Sequence, residues 1–240
     1  SAIAANDPSA RASGSPVAAA IAIHPNESTR HAHVTEVGPD GWEPAFAPHH
    51  EVSLDDAVAR VGDLAAANRD AVVAIGETGL DWFRTAGRGR DVQREAFRAH
   101  IALAKELDLP LQIHDRDAHA DVLDVLRRDG APAATVFHCF SGDREMAEVL
   151  NEHGWYASFA GPITYKSNDE LREACRAMDP ALVLVETDAP YLTPVPYRGR
   201  PNAPYLMTHT VRMVSQMLGM ELTQACHLLL ANTRRAYGAW

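Results

Sequence analysis

The sequence predicts a single parallel α/β barrel over residues 1–240, and three observations predict it. Short apolar runs alternate with amphipathic helical stretches at intervals of roughly 25 to 40 residues, the pattern of repeated βα units. The runs are four to six residues long, rich in β-branched side chains and bounded by turn residues, as strands buried on both faces are. Four of them close on a residue able to hold a metal: VVAIGE on Glu77, PLQIH on His114, ATVFH on His138 and ALVLVETD on Asp188. Parallel barrels assemble their sites from side chains at the C-terminal ends of several strands.

In chain order, residues 1–5 (SAIAA) read as the remnant of a strand, tied by an unusually short polar link to the run VAAAIAI at 17–23. From 26 to 51 the chain is rich in Pro, Gly and His without helical period and reads as one long loop or insertion. His31 and His33 lie within it and read as solvated loop histidines. Ser53 opens a helix with a capping pattern, and Val58, Val61 and Ala65 share its face. After the strand ending at Glu77 comes a Gly/Arg-rich loop, then a helix whose Val92, Ala96, Ala99 and Leu103 form one stripe. LQIH and a helix at 118–128 stopped by Gly130 follow, then TVFH and a helix expected to be capped by Ser141. WYASFAG, a helix from Asn168, LVLVET, a Pro-rich rigid loop and two helices near 208–219 and 223–237 complete the chain. That makes seven candidate strands, including the one at 1–5, where a closed barrel has eight. The first strand is therefore expected to be missing or incomplete in this sequence.

Composition excludes several classes. With 46% hydrophobic and 22% charged residues the chain is neither disordered nor membrane-spanning in character. Cys139, Cys175 and Cys226 are odd in number and lack metal-knuckle spacing, so reduced thiols and a cytoplasmic location are expected. A formal net charge of -10 ill suits a protein that wraps duplex DNA. A barrel mouth that takes a chain end contacts few phosphates and escapes that objection. No phosphate-binding glycine loop, dinucleotide fingerprint or nucleophile elbow is present.

The chemistry falls to the strand-end donors. Mixed imidazole and carboxylate ligation suits zinc, manganese or iron better than magnesium. A carboxylate such as Glu77 can bridge two cations, and Asp188 can both ligate and accept a proton from the attacking water. His24, before Pro25, faces the same barrel end as a loop anchor or substrate contact. Arg116 and Arg198, read as loop residues, offer planar forks suited to phosphate. Trp82, Phe83 and Tyr191 border these loops, with packing expected ahead of stacking on a base.

GETGLD (76–81), IHDRDAH (113–119), FHCFSG (137–142) and ETDAPYL (186–192) together resemble the signatures of the TatD family of metal-dependent deoxyribonucleases. IHP (23–25), RGRPN (198–202) and the closing ANTRRAY are similar to that family too. The resemblance spans about residues 17 to 237 and implies a TIM-type (β/α)8 barrel binding up to two divalent ions. It implies Mg2+ or Mn2+ for activity, with Zn2+ also suited to the donors, and DNA as substrate. It puts Glu77, His114, His138 and Asp188 at the family's metal-ligand positions, with Arg198 and Asn202 in a substrate-end loop. One departure stands out: the family's His-x-His on the first strand has no counterpart here, and His31/His33 cannot replace it. A sequence lacking its native N-terminus is the expected explanation.

The expected reaction is phosphodiester hydrolysis, as a 3′–5′ exonuclease on single-stranded or frayed DNA ends, by a monomer or weak oligomer without membrane contact. Asp188 and Glu77 are the expected catalytic carboxylates, and His24, Arg116, Arg198 and Asn202 the expected substrate contacts. The rivals are a metal-dependent amidohydrolase or deacylase, and a metal-poor scaffold that binds nucleic acid or protein without turnover. No lysine ends a strand, which counts against the first rival.

Overall fold

Apolar runs in this chain become parallel strands and the stretches between them become helices. The structure, a computed structural model, describes residues 17–238. The strand expected at 1–5 and the link to residue 16 lie outside the described residues. The chain divides into two compact units, the first running to Thr135 and taking Tyr237, the second spanning Val136 to Ala236.

In the first unit β1 (Ala19–Ile21), β2 (Val72–Asp81) and β3 (Leu111–Arg116) are parallel and adjacent in that order. Between them run α1 (Pro25–His31), α2 (Leu54–Ala67) and α3 (Arg88–Glu106), and α4 (His119–Asp129) follows β3. Ala74, Ile75, Leu80, Leu111 and Ile113 of the strands are buried, as are Phe97 and Ile101 of α3 and Val122 and Leu126 of α4. Burying each large aliphatic or aromatic side chain contributes roughly 1.5–3 kcal/mol, so this interface holds the unit together. The Ser53 hydroxyl accepts from the Asp56 amide at 3.1 Å and starts α2, and Gly130 (φ 75) ends α4, both as the sequence predicts. Tyr237 joins this unit through its hydroxyl, which accepts from Gln112 Nε2 at 2.8 Å.

The second unit repeats the scheme with β4 (Thr135–Phe137), β5 (Tyr156–Phe159) and β6 (Val183–Val185), again parallel and in order. Its helices are α5 (Arg144–His153), α6 (Asp169–Ala177), α7 (Met207–Met217) and α8 (Leu222–Tyr237). Phe137, Phe159, Leu150, Ala174, Val183 and Leu229 form its interior.

Four local expectations are corrected. The loop read over 26–51 opens on a helix: Pro25 occupies the first turn of α1, and His24 Nδ1 accepts from the Asn26 amide at 3.1 Å. A second, 3₁₀ turn spans Pro48–Glu51. Glu77 does not end its strand, because β2 continues to Asp81, and His114 likewise lies inside β3. Arg116 is the last residue of β3 and not a loop residue. Asp143, not Ser141, caps α5, its carboxylate accepting from the Met146 amide at 2.9 Å.

Candidate metal and substrate site

Glu77 and His114 meet because two glycines let β2 and β3 come unusually close. A Cβ on Gly76 would stand 2.2 Å from Gln112 Cβ, and one on Gly79 2.1 Å from the His114 carbonyl oxygen. Gly79 also has φ +137, a conformation that side chains rarely adopt. Strand periodicity then sets Glu77 and Asp81 on the same side of β2, with Gly79 in register with His114.

Around His114 the polar contacts define a tautomer. Nε2 lies 3.3 Å from Asp81 Oδ2, and Nδ1 lies 3.8 Å from Glu77 Oε2. Asp81 is buried, accepting from Asn26 Nδ2 and from the Arg84 amide, each at 2.9 Å. Burial alone would raise its pKa, but the hydrogen bonds from His114, Asn26 and the Arg84 backbone hold it down at about 2. Burial likewise opposes charge on His114, yet the bonds to Asp81 and Glu77 outweigh it and raise the imidazole pKa. A permanently ionised Asp81 keeps the proton on Nε2 and leaves Nδ1 facing Glu77. A carboxylate behind one ring nitrogen and a second donor before the other is how metal-binding histidines are held. The donor set at Glu77 and His114 therefore fits a divalent ion.

His24 stands beside them, its Nε2 3.4 Å from Glu77 Oε1 and its ring 4.7 Å from that of His114. Three donor atoms of His24, Glu77 and His114 lie within 4.8 Å of one another, which by distance alone suggests a three-residue metal site. The hydrogen bonding argues otherwise for His24. Its Nδ1 accepts a backbone N–H, so the neutral ring carries its proton on Nε2. Burial first, then the nearby His114 charge, lowers the His24 pKa to about 4, so the ring is neutral near pH 7. His24 is thus a hydrogen-bond donor pointed at the site.

The second unit holds the other pair. His138 directly follows β4, and Asp188 lies three residues beyond β6 in the left-handed region (φ 54). His138 Nε2 is 4.0 Å from Asp188 Oδ1, while its Nδ1 is 2.7 Å from Glu186 Oε1. Glu186 and Asp188 thus flank the two ring nitrogens of His138. Sequence reasoning missed both orienting carboxylates. For Asp81 a signal existed, the two-residue spacing from Glu77 through Gly79; for Glu186 none did, because the chain has already left β6.

The remaining predicted residues divide. Arg198 is exposed, its guanidinium 4.2 Å from the centre of the Tyr165 ring. Arg116 lies 3.8 Å over the ring of Phe83. Asn202 is buried, and its amide donates to the carbonyls of Thr187 and Tyr191, both at 2.7 Å. Its place is in fixing the loop that follows Asp188.

A second His/Glu group, Glu27, His49 and His50, also falls within 4.8 Å. There Glu27 is already bound to Arg30 at 2.6 Å and to His50 Nε2 at 2.8 Å, and His50 Nδ1 accepts from the Ala47 amide. These contacts anchor the 32–51 segment. His31 anchors it too: contrary to its reading as solvated, it is buried with Nδ1 2.8 Å from the Val52 carbonyl.

Known proteins resemble this chain over most of its length. The family model described as TatD related DNase matches residues 5–238. An uncharacterized metal-dependent hydrolase, TatD, of Mycobacterium tuberculosis is 47% identical over 171 residues, covering 70% of this chain and 65% of that protein. The Bacillus subtilis uncharacterized metal-dependent hydrolase YabD is 36% identical over 200 residues, covering 82% and 75%. Among solved structures, the Escherichia coli TatD homologue YjjV superposes with a TM-score of 0.78 at 25% identity, covering 96% of this chain and 81% of that one. The likeness assigns the chain to the α/β class of TIM (β/α)8-type barrels. Among the described residues no helix is long and apolar enough to cross a membrane.

Proposed function

The chain belongs to the TatD family of metal-dependent hydrolases, and from that premise we propose that its reaction is phosphodiester hydrolysis at DNA ends. The proposed mode is 3′–5′ exonuclease action on single-stranded or frayed strands. The observation that carries this reading is the Asp81–His114–Glu77 arrangement, in which Asp81 backs one imidazole nitrogen and turns the other toward the Glu77 carboxylate.

Glu77, His114, His138 and Asp188 are the proposed ligands, for up to two divalent ions, Mg2+ or Mn2+ in turnover. When bound, such ions supply Lewis acidity to the phosphate and lower the pKa of a water that attacks it. The protein's own groups do the rest. Asp188, partly exposed beside His138, takes the proton of the attacking water, and Glu186 keeps the His138 ring from rotating out of place. His24 offers its Nε2–H to a non-bridging phosphate oxygen, a charge-assisted bond that strengthens as negative charge grows. Arg198 adds a fixed positive charge at the substrate side, where its stacking on Tyr165 limits its freedom.

The test is an oligonucleotide labelled at its 5′ end, incubated with protein stripped by chelator and then supplied with Mn2+ or Mg2+. A ladder shortening from the 3′ end only after metal is restored supports the reading. Cleavage that persists under chelation would overturn it. So would inertness toward every phosphodiester alongside turnover of an amide or acyl ester.

A further inference from the structure

The segment after Asp188 has a composition unlike the rest of the molecule. Between Asp188 and Glu221 there is no acidic residue, while Arg198, Arg200, His209 and Arg212 all occur there, in a chain of net charge -10. The same segment carries three tyrosines, Tyr191, Tyr197 and Tyr205. Tyr197 meets His209 edge-on at 5.3 Å. Tyr191 and Tyr205 are 71% and 76% exposed, and neither ring makes a hydrogen bond or ring contact among the described residues.

An isolated exposed tyrosine is ordinary. These two sit on backbone that is cross-linked at several points. The Tyr191 amide donates to the Asp188 carbonyl at 2.9 Å, which places this ring one turn from a proposed metal ligand. Asn202 ties the two limbs of the loop together, its amide N–H bonding the Pro190 carbonyl and its side chain the Tyr191 carbonyl. Thr193 Oγ1 donates to the Arg200 carbonyl, and the Val195 amide donates to Thr164 Oγ1 at 2.9 Å. The backbone under Tyr191 is thereby bonded to residue 202, three positions before Tyr205. Holding two solvated rings on a fixed, proline-rich, acid-free strap has no packing benefit for the fold, whereas it removes the ordering cost of gripping a flat ligand.

We propose that Tyr191 and Tyr205 form a stacking platform for the bases of single-stranded nucleic acid, with Arg198 and Arg200 serving its phosphates. The inference rests on the phosphodiester reading and adds to it how a strand is held: by base faces, without regard to sequence. Every base offers a π face, so such a platform is sequence-tolerant. Arginines on an acid-free stretch supply the local positive field that the acidic whole lacks.

The experiment measures binding of fluorescent oligo(dT) and of an equally long, equally charged base-free (abasic) strand, in chelator so that no turnover intervenes. The unaltered protein is expected to prefer oligo(dT) by at least about tenfold. Tyr191→Leu and Tyr205→Leu should each reduce that preference by roughly five- to tenfold, while Tyr191→Phe and Tyr205→Phe retain it. The proposal is overturned if the unaltered protein binds both strands equally, binds neither, or if the Leu variants keep the full preference. Because no cleavage is read, a protein that shows the preference but never hydrolyses DNA would sink the nuclease reading and leave the platform standing.

Discussion

His100 offers the most quantitative test of how the site end of β1 is held. It is fully buried in α3, where Nδ1 donates to the Ala96 carbonyl at 2.7 Å and Nε2 accepts from the Ile23 amide at 3.0 Å. The second bond requires the neutral ring, and it fixes the backbone next to His24. Burial drives the His100 pKa from 6.5 down to about 4. The sign follows directly: the folded state binds the proton less readily than the unfolded chain, so the contribution is intact above pH 6.5 and is lost as pH falls toward 4. A difference of about 2.5 units is worth about 3 kcal/mol in full, of which about 2 kcal/mol has gone by pH 5. His100→Gln keeps an acceptor and a donor but does not titrate. Urea unfolding of both proteins between pH 8 and pH 5 should show the parent's advantage over the variant shrinking by about 2 kcal/mol. His24 loses stability in the same window in both proteins, so it cancels in the comparison. Parallel pH profiles would refute the reasoning, as would an NMR titration placing the His100 ring near pH 6.5.

Further outcomes follow from particular contacts. Asp81→Asn should weaken divalent-ion affinity by roughly 10- to 100-fold, read by calorimetric titration, because it no longer fixes the His114 tautomer. Gly79→Ala sets a Cβ against the His114 carbonyl at 2.1 Å and strains a φ of +137, so a loss of about 2–4 kcal/mol is expected in chemical unfolding. Asp143→Ala should cost about 1 kcal/mol, the worth of an N-cap, in the same assay.

How much was legible in the sequence depended on whether a residue's place followed from hydrophobic period. The apolar runs ending near Glu77, His114, His138 and Asp188 did form parallel strands, because buried strands need little else to declare themselves. α1 was missed because its buried residues, Asn26, Ser28 and Thr29, are polar and leave no apolar stripe; only the His24-Pro25 start signal announced it. The length of β2 was missed because its apolar run breaks at Glu77, whereas Gly76 and Gly79 serve close strand approach and the strand runs on to Asp81. Asn202 was read as a substrate contact from its motif, while the fold spends its amide on the loop's carbonyls. Glu186 needed coordinates, since which side chain backs a histidine beyond a strand end is a matter of ångströms and not of spacing.

The most direct measurement is equilibrium binding of Mn2+ to the purified, metal-stripped chain and to its Glu77→Gln and His114→Ala variants. Saturable binding of one or two ions per chain, weakened at least about tenfold by either substitution, is the predicted result. Binding no tighter in the parent than in the Glu77→Gln, His114→Ala double variant would contradict it.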